Sequence, residues 1–159
     1  MTSATASASP PRGGQNWQRS AFNFFTRENL RISDLDQNQH VNNIAYLVLF
    51  ENVRNQFIVQ RTPFVRSEDF TYMLLHLDID FAGELHYPGH VDAACRVEEV
   101  RRSTVVFSQA VFDGDRVAAT GHAVVANIDR RLRRAVPFEE EARAKFDPVR
   151  PAPTEEQKL

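Results

Sequence analysis

Cysteine is almost missing from this chain. Cys95 is the only one, so no internal disulfide can form and a cysteine-based zinc site is excluded. Its setting, "VDAACRV", reads as an apolar strand, which predicts a buried, inert thiol rather than a nucleophile. Lysine is nearly as scarce: Lys145 and Lys158 are the only two, and arginine carries the rest of the positive charge. Basic excess is also lacking. Nineteen Lys and Arg face 21 Asp and Glu, a formal charge of −2, which argues against a general polyanion binder and so against nucleic acid as a partner. No apolar run is long enough to cross a bilayer. The opening "MTSATASASPPRGGQNW" has no hydrophobic stretch of the signal-peptide kind. The expectation is a protein that does not engage membranes and works in the cytoplasm. His76, His86, His90 and His122 are scattered, with no metal-ligand spacing, and neither a metal nor a cofactor is expected.

What is present fits one domain of 159 residues, 42% of them hydrophobic, enough to bury a sizeable core. Residues 1–17 are rich in Ser, Ala, Thr, Pro and Gly and read as a disordered tail, as do residues 147–159. The domain is expected over 18–146, without repeats or linkers. "FNFFTRENLRI" reads as a first strand. Over residues 43–60 the apolar positions Tyr46, Phe50, Val53 and Phe57 recur at helical spacing. Ile44, Leu47, Leu49 and Ile58 widen the stripe, which predicts a helix covered on most sides. Glu51 and Arg54, three apart, could pair. Thr62-Pro63 marks its end.

Strands follow. "YMLLHLDIDFAGEL" sets Leu75, Leu77, Ile79 and Phe81 against His76, Asp78 and Asp80. "HVDAACRVEEV", "STVVFSQAVF" and "RVAATGHAVVANID" continue an antiparallel meander, with Asp113-Gly114 as a hairpin signal. "PFEEEARAKF" reads as a short C-terminal helix. A strand, one long helix and a meander predict an α+β domain, an antiparallel sheet wrapped around one central helix. The open sheet edges predict a homodimer or homotetramer.

The most informative stretch is "SDLDQNQHVNN", residues 33–43. Asp34, Asp36, Asn38, Asn42 and Asn43 are all good turn or N-cap residues, but one or two would suffice to cap a helix. Asp36, Asn38 and His40 alternate, so an extended loop would aim them to one side. A helix start also offers unpaired N–H groups and partial positive charge, which stabilise an oxygen that turns negative during acyl transfer. A carboxylate beside them can attack a carbonyl or take a proton from water. On these residues alone, capping and chemistry both remain open.

The same stretch resembles the hotdog-fold thioesterases of the 4-hydroxybenzoyl-CoA thioesterase type, whose usual pattern is Asp-x-Asp-x-x-Gly-His-Val-Asn-Asn, then Tyr and Phe-Glu-x-x-Arg. This chain supplies Asp34, Asp36, His40, Val41, Asn42, Asn43, Tyr46, Phe50, Glu51 and Arg54. Gln39 stands where the family often has Gly. "DQNQHVNN" is also similar to plant-type acyl-ACP thioesterases, whose catalytic Asp-x-Asn-x-His matches Asp36, Asn38 and His40. Those enzymes carry two hotdog repeats, so here a second copy would supply the other half.

The resemblance, which spans about residues 22–138, implies an acyl-CoA or acyl carrier protein substrate hydrolysed to a free acid and a thiol. It implies Asp36 as nucleophile or general base and a backbone N–H near Val41 as the carbonyl-oxygen donor. Asn38 and His40 would support them. Asn42 and Asn43 would touch the substrate or brace the loop and cap the helix. Tyr46 and Phe50, with Leu49 and Phe57, could line an acyl slot, although core packing is the default for such residues. Arg101, Arg102 and Ser103 would meet the nucleotide phosphates, with Arg130, Arg131, Arg133 and Arg134 as a second candidate group. The alternative is a non-catalytic hotdog module that holds an acyl thioester or a partner protein. A hotdog dehydratase would need a different His and acid arrangement, for which there is no motif.

Overall fold

The computed structural model describes residues 16–62 and 68–146. Apart from Asn16 and Trp17, the two expected tails lie outside the described residues. The elements run β1 (Phe24–Asn29), α1 (Asn43–Arg61), β2 (Phe70–Phe81), β3 (His90–Val100), β4 (Thr104–Asp113), β5 (Arg116–Asp129), β6 (Arg134–Ala135) and α2 (Glu140–Lys145).

The sheet has six strands in the order β1-β3-β4-β5-β2, with β6 on the end of β5. All pairings are antiparallel. The curled sheet packs against α1, which gives the hotdog arrangement expected from the sequence. One detail differs. The meander comprises only β3, β4 and β5; β2 pairs with β5 and not with its sequence neighbour β3. The free edge of β3 is taken by β1, so β2 must add at the opposite edge.

α1 starts where Asn42, in extended conformation, accepts the Ile44 N–H on its side chain at 2.9 Å. It ends at Thr62, whose N–H and hydroxyl both reach the Ile58 carbonyl. Tyr46, Leu49, Phe50, Val53, Phe57 and Ile58 recur every three or four residues and are buried. The helix is less covered than its breadth of apolar residues suggested. Ile44 is 63% exposed, and Leu47, Val48 and Val59 are exposed too. One sheet can cover only one side of a helix, so the other flank stays open.

Two features tighten this frame. Gly121 on β5 sits where a Cβ would lie 2.2 Å from the Asp78 carbonyl oxygen and 2.8 Å from the Phe50 ring. Only glycine allows that approach. At the far end of α1, Phe57, Phe107, Phe138 and Phe146 meet in edge-to-face, stacked and tilted contacts, so α2 closes the core. On the outer face of the sheet, Trp17 and Phe22 cover Ala94, Ala110 and Phe112. Trp17, placed in the tail by composition, is thus part of the packing. Cys95 is fully buried, and desolvation pushes its thiol pKa up, as its apolar setting predicted.

Candidate active site

The polar stretch folds as a miniature hairpin at the start of α1. Leu35 and Val41 bridge, and the Asp36 N–H donates to the His40 carbonyl at 2.8 Å. The Asp36 Oδ1 accepts the N–H of Asn38 at 2.8 Å and of His40 at 3.1 Å. Its Oδ2 has no hydrogen-bond partner among the described residues. Gln39 makes the turn with φ 62°, a left-handed conformation, at the position where the resembling family often has glycine. The Asn42 N–H donates to the Asp34 carbonyl at 2.7 Å, which docks the loop onto the chain before it.

The segment after β2 pins the loop from the other side. His40 and His86 form an antiparallel bridge, and their rings stand edge to face at 5.2 Å. The Glu84 Oε2 lies 3.7 Å from His40 Nε2 and 3.9 Å from His86 Nε2. In the sequence nothing marks Glu84, and His86 reads only as one of the scattered histidines. They sit 44 and 46 positions beyond His40 and no spacing rule links them; only the chain's return past the loop brings them together. Among the described residues no group of three His, Cys, Asp or Glu is arranged to hold a metal.

Val41, near which the carbonyl-oxygen donor is expected, has its own N–H engaged. Its N–H donates to the Leu85 carbonyl at 3.0 Å, because the loop needs that bond to dock on the β2–β3 connection. Of the first helical N–H groups, Ile44 is taken by the Asn42 side chain and Ala45 by the Asn42 carbonyl. The Asn43 N–H has no such acceptor among the described residues. Asn38 and Asn43 are exposed.

The other expected site residues fall elsewhere. Tyr46 and Phe50 are in the core. The Tyr46 hydroxyl donates to the Gly83 carbonyl at 3.1 Å, its ring meets Phe81, and desolvation raises its pKa to about 12. The Phe50 carbonyl accepts from Gln109 Nε2 and from Arg54 Nη1. Leu49 and Phe57 are core as well. Beside α1 lies a cleft of about 450 Å³ lined by Leu47, Glu51, Arg54, Asn55 and Ile58 with Tyr72, Leu74, Leu77 and Val125. A bulge in β2 between Leu74 and His76 shifts the alternation, which is how Leu74 and Leu77 both come to line the cleft.

Arg101, Arg102 and Ser103 lie in the β3–β4 turn, at the end of the sheet away from Asp36. Ten steps along β3 lead from His90, four residues past the loop's partner His86, to Val100, about 33 Å. Arg101 pairs with Glu99 at 2.8 Å. Arg130, Arg131, Arg133 and Arg134 share that distant end, around the β5–β6 turn.

A curled antiparallel sheet around one helix, with a polar loop braced at the helix start, defines a hotdog domain. Residues 30–146 match the model of the thioesterase-like superfamily, and the chain belongs to that family. A solved Pseudomonas aeruginosa protein is similar at 25% identity over 81% of this chain and 92% of its own, with a TM-score of 0.74. A Thermus thermophilus thioesterase complexed with coenzyme A and Zn shares 23% identity over 79% and 92%, TM-score 0.71. A 1,4-dihydroxy-2-naphthoyl-CoA thioesterase from Synechocystis has the same fold at 13% identity over 79% and 96%, TM-score 0.69. No curated protein matches the sequence.

Proposed function

We propose that the protein hydrolyses an acyl-CoA or acyl carrier protein thioester at the loop that opens α1. The observation that carries this reading is the Asp36 carboxylate held at a helix start by two N–H groups on Oδ1 with Oδ2 left open. Oδ2 attacks the thioester carbon or takes a proton from the attacking water. The Asn43 N–H and the positive end of α1 receive the charge that develops on the carbonyl oxygen. Asn38 orients the water. His40, facing Glu84, supplies the proton that the departing thiolate takes up.

A second copy completes the site in this reading. Among the described residues β2, 12 residues long, is an edge of the sheet, with Met73, Leu74, Leu75 and Phe81 exposed. A two-fold antiparallel pairing of β2 edges sets the Phe70 end of one copy beside the Phe81 end of the other. The arginines of one copy then stand near the reaction loop of its partner, suited to the phosphates of a coenzyme or an acidic carrier. A similar fold crystallised with coenzyme A supports this substrate class.

The deciding experiment is thiol release from a panel of short, long and aromatic acyl-CoAs, with Asp36→Asn alongside. Turnover by the wild type that falls at least about a hundredfold in the variant is the expected result. Equal rates for the two proteins would sink the mechanism.

One observation favours a second reading. The Asp36 Oδ1 and the Val41 N–H are both occupied by backbone partners, as they would be in a loop that only braces the helix. A binding module of that kind would take up acyl-CoA saturably and release no thiol.

A further inference from the structure

The cleft between α1 and β2 holds a cation that the proposed chemistry does not use. Arg54 is 4% exposed and lines the cleft. Its Nη1 donates to the Phe50 carbonyl at 3.3 Å and to Gln109 Oε1 at 3.0 Å. It makes no ion pair among the described residues, and its Nε and Nη2 have no hydrogen-bond partner there. The pairing with Glu51 expected from their spacing does not form, because Arg54 turns inward to Gln109 while Glu51 stays exposed. The neighbouring Cys95 thiol, raised by burial, offers no compensating charge. Desolvation lowers the Arg54 pKa, and Glu51, which shares the cleft without pairing, is the first of the groups that oppose it. A guanidinium withdrawn from water and left without a counter-ion is costly. The Nε–Nη2 edge is the one that takes a carboxylate side-on through two parallel bonds.

Leu47, Ile58, Leu74, Leu77 and Val125 form the apolar part of the wall, and Glu51, Asn55 and Tyr72 its polar part. A volume of about 450 Å³ is in the range of small-molecule sites. The cleft follows α1 from Leu47, one turn past the helix start, to Ile58. Arg54 lies about three turns along, roughly 16 Å from Asn43. An acyl chain whose thioester carbon sits at the helix start would therefore run along the apolar wall and end at Arg54. Glu51 stands beside that path, but its exposed carboxylate is screened by water and can turn out to solvent.

We propose that the cleft is a binding site for the far end of an acyl group that carries a terminal carboxylate, with Arg54 as the residue that selects it. The preferred substrate is then the monothioester of a medium-length dicarboxylic acid. The assignment rests on the thioesterase reading for the placement of the other end, but the site itself is testable without turnover.

The test is isothermal titration of the purified full chain with decanoate and with decanedioate, acids that differ only in the second carboxylate. The expected result is decanedioate binding at least about tenfold tighter than decanoate to the wild type. In Arg54→Met that preference is lost, while decanoate affinity stays within about threefold. Equal affinities for the two acids in the wild type would overturn the proposal. So would a preference that survives in Arg54→Met. If that variant fails to fold by circular dichroism, the wild-type pair decides alone, and Arg54→Lys, which keeps the charge but loses the fork, should retain only part of the preference. A chain that prefers decanedioate yet releases thiol from no acyl-CoA would refute hydrolysis and leave the binding site standing.

Discussion

Gln39 shows how one residue can record a trade between loop shape and chain strain. Its φ of 62° places a side chain in a region that costs an L-residue about 1–2 kcal/mol. Gln39→Gly should leave the loop unchanged and be neutral or stabilising by up to about 1 kcal/mol, since glycine's extra unfolded-state freedom offsets part of the relief. Gln39→Val should destabilise by about 1 kcal/mol or more. Urea unfolding of the three proteins measures both. Asp92 gives the pH dependence. It is bracketed by Arg27 at 2.9 Å and Arg19 at 2.6 Å. The hydrogen bond from Arg27 is the main cause that lowers its pKa; burial opposes it and Arg19 adds to it. A depressed folded-state pKa means the group stabilises the fold above the unfolded value, about 3.9. That contribution is lost as pH falls from there through the folded-state pKa. Stability measured against pH should drop along this acid limb, and Asp92→Asn should lower stability at neutral pH and flatten the limb.

At the level of elements, α1 and β5 depend on a contact without a side chain. Gly121→Ala would drive a methyl into the Asp78 carbonyl and the Phe50 ring, and should cost about 1–3 kcal/mol. Thermal unfolding reads that loss directly. β2 matters for a different reason. Among the described residues it has the longest apolar exposure of any strand, with Leu75 56% exposed at the bulge, and a row of backbone groups with no neighbouring strand. Such an edge invites strand pairing. Sedimentation should show an assembly larger than one chain, and Met73→Lys with Leu75→Lys should shift it toward monomer. A monomeric wild type would contradict the proposed pairing.

For the whole molecule, charge is distributed by position and not by total. The net charge is −2, yet Arg102, Arg131, Arg133 and Arg134 are exposed at the end of the sheet away from the loop that opens α1. If they meet the substrate's phosphates across an assembly, KM for an acyl-CoA should rise with salt and kcat should change little. Arg131→Ala with Arg134→Ala should weaken that salt dependence. An unchanged KM in the double variant would remove these arginines from the substrate site.

Much of this molecule was readable from local pattern. The helix limits, the β3 and β5 boundaries and the polar loop before α1 rest on periodicity, capping and turn chemistry, which act between residues close in sequence. The sequence by itself determined a helix stripe centred on Tyr46, Phe50, Val53 and Phe57, a buried Cys95 and an Asp-x-Asn-x-His loop at a helix start. Tertiary structure alone decided the rest, because each point depends on groups far apart in the chain. It sent β2 to the side of β5, set Glu84 and His86 opposite His40, spent the Val41 N–H on Leu85, and turned Arg54 away from Glu51 into the cleft. Spacing reports which face of an element a residue is on; only the folded chain determines what that face meets.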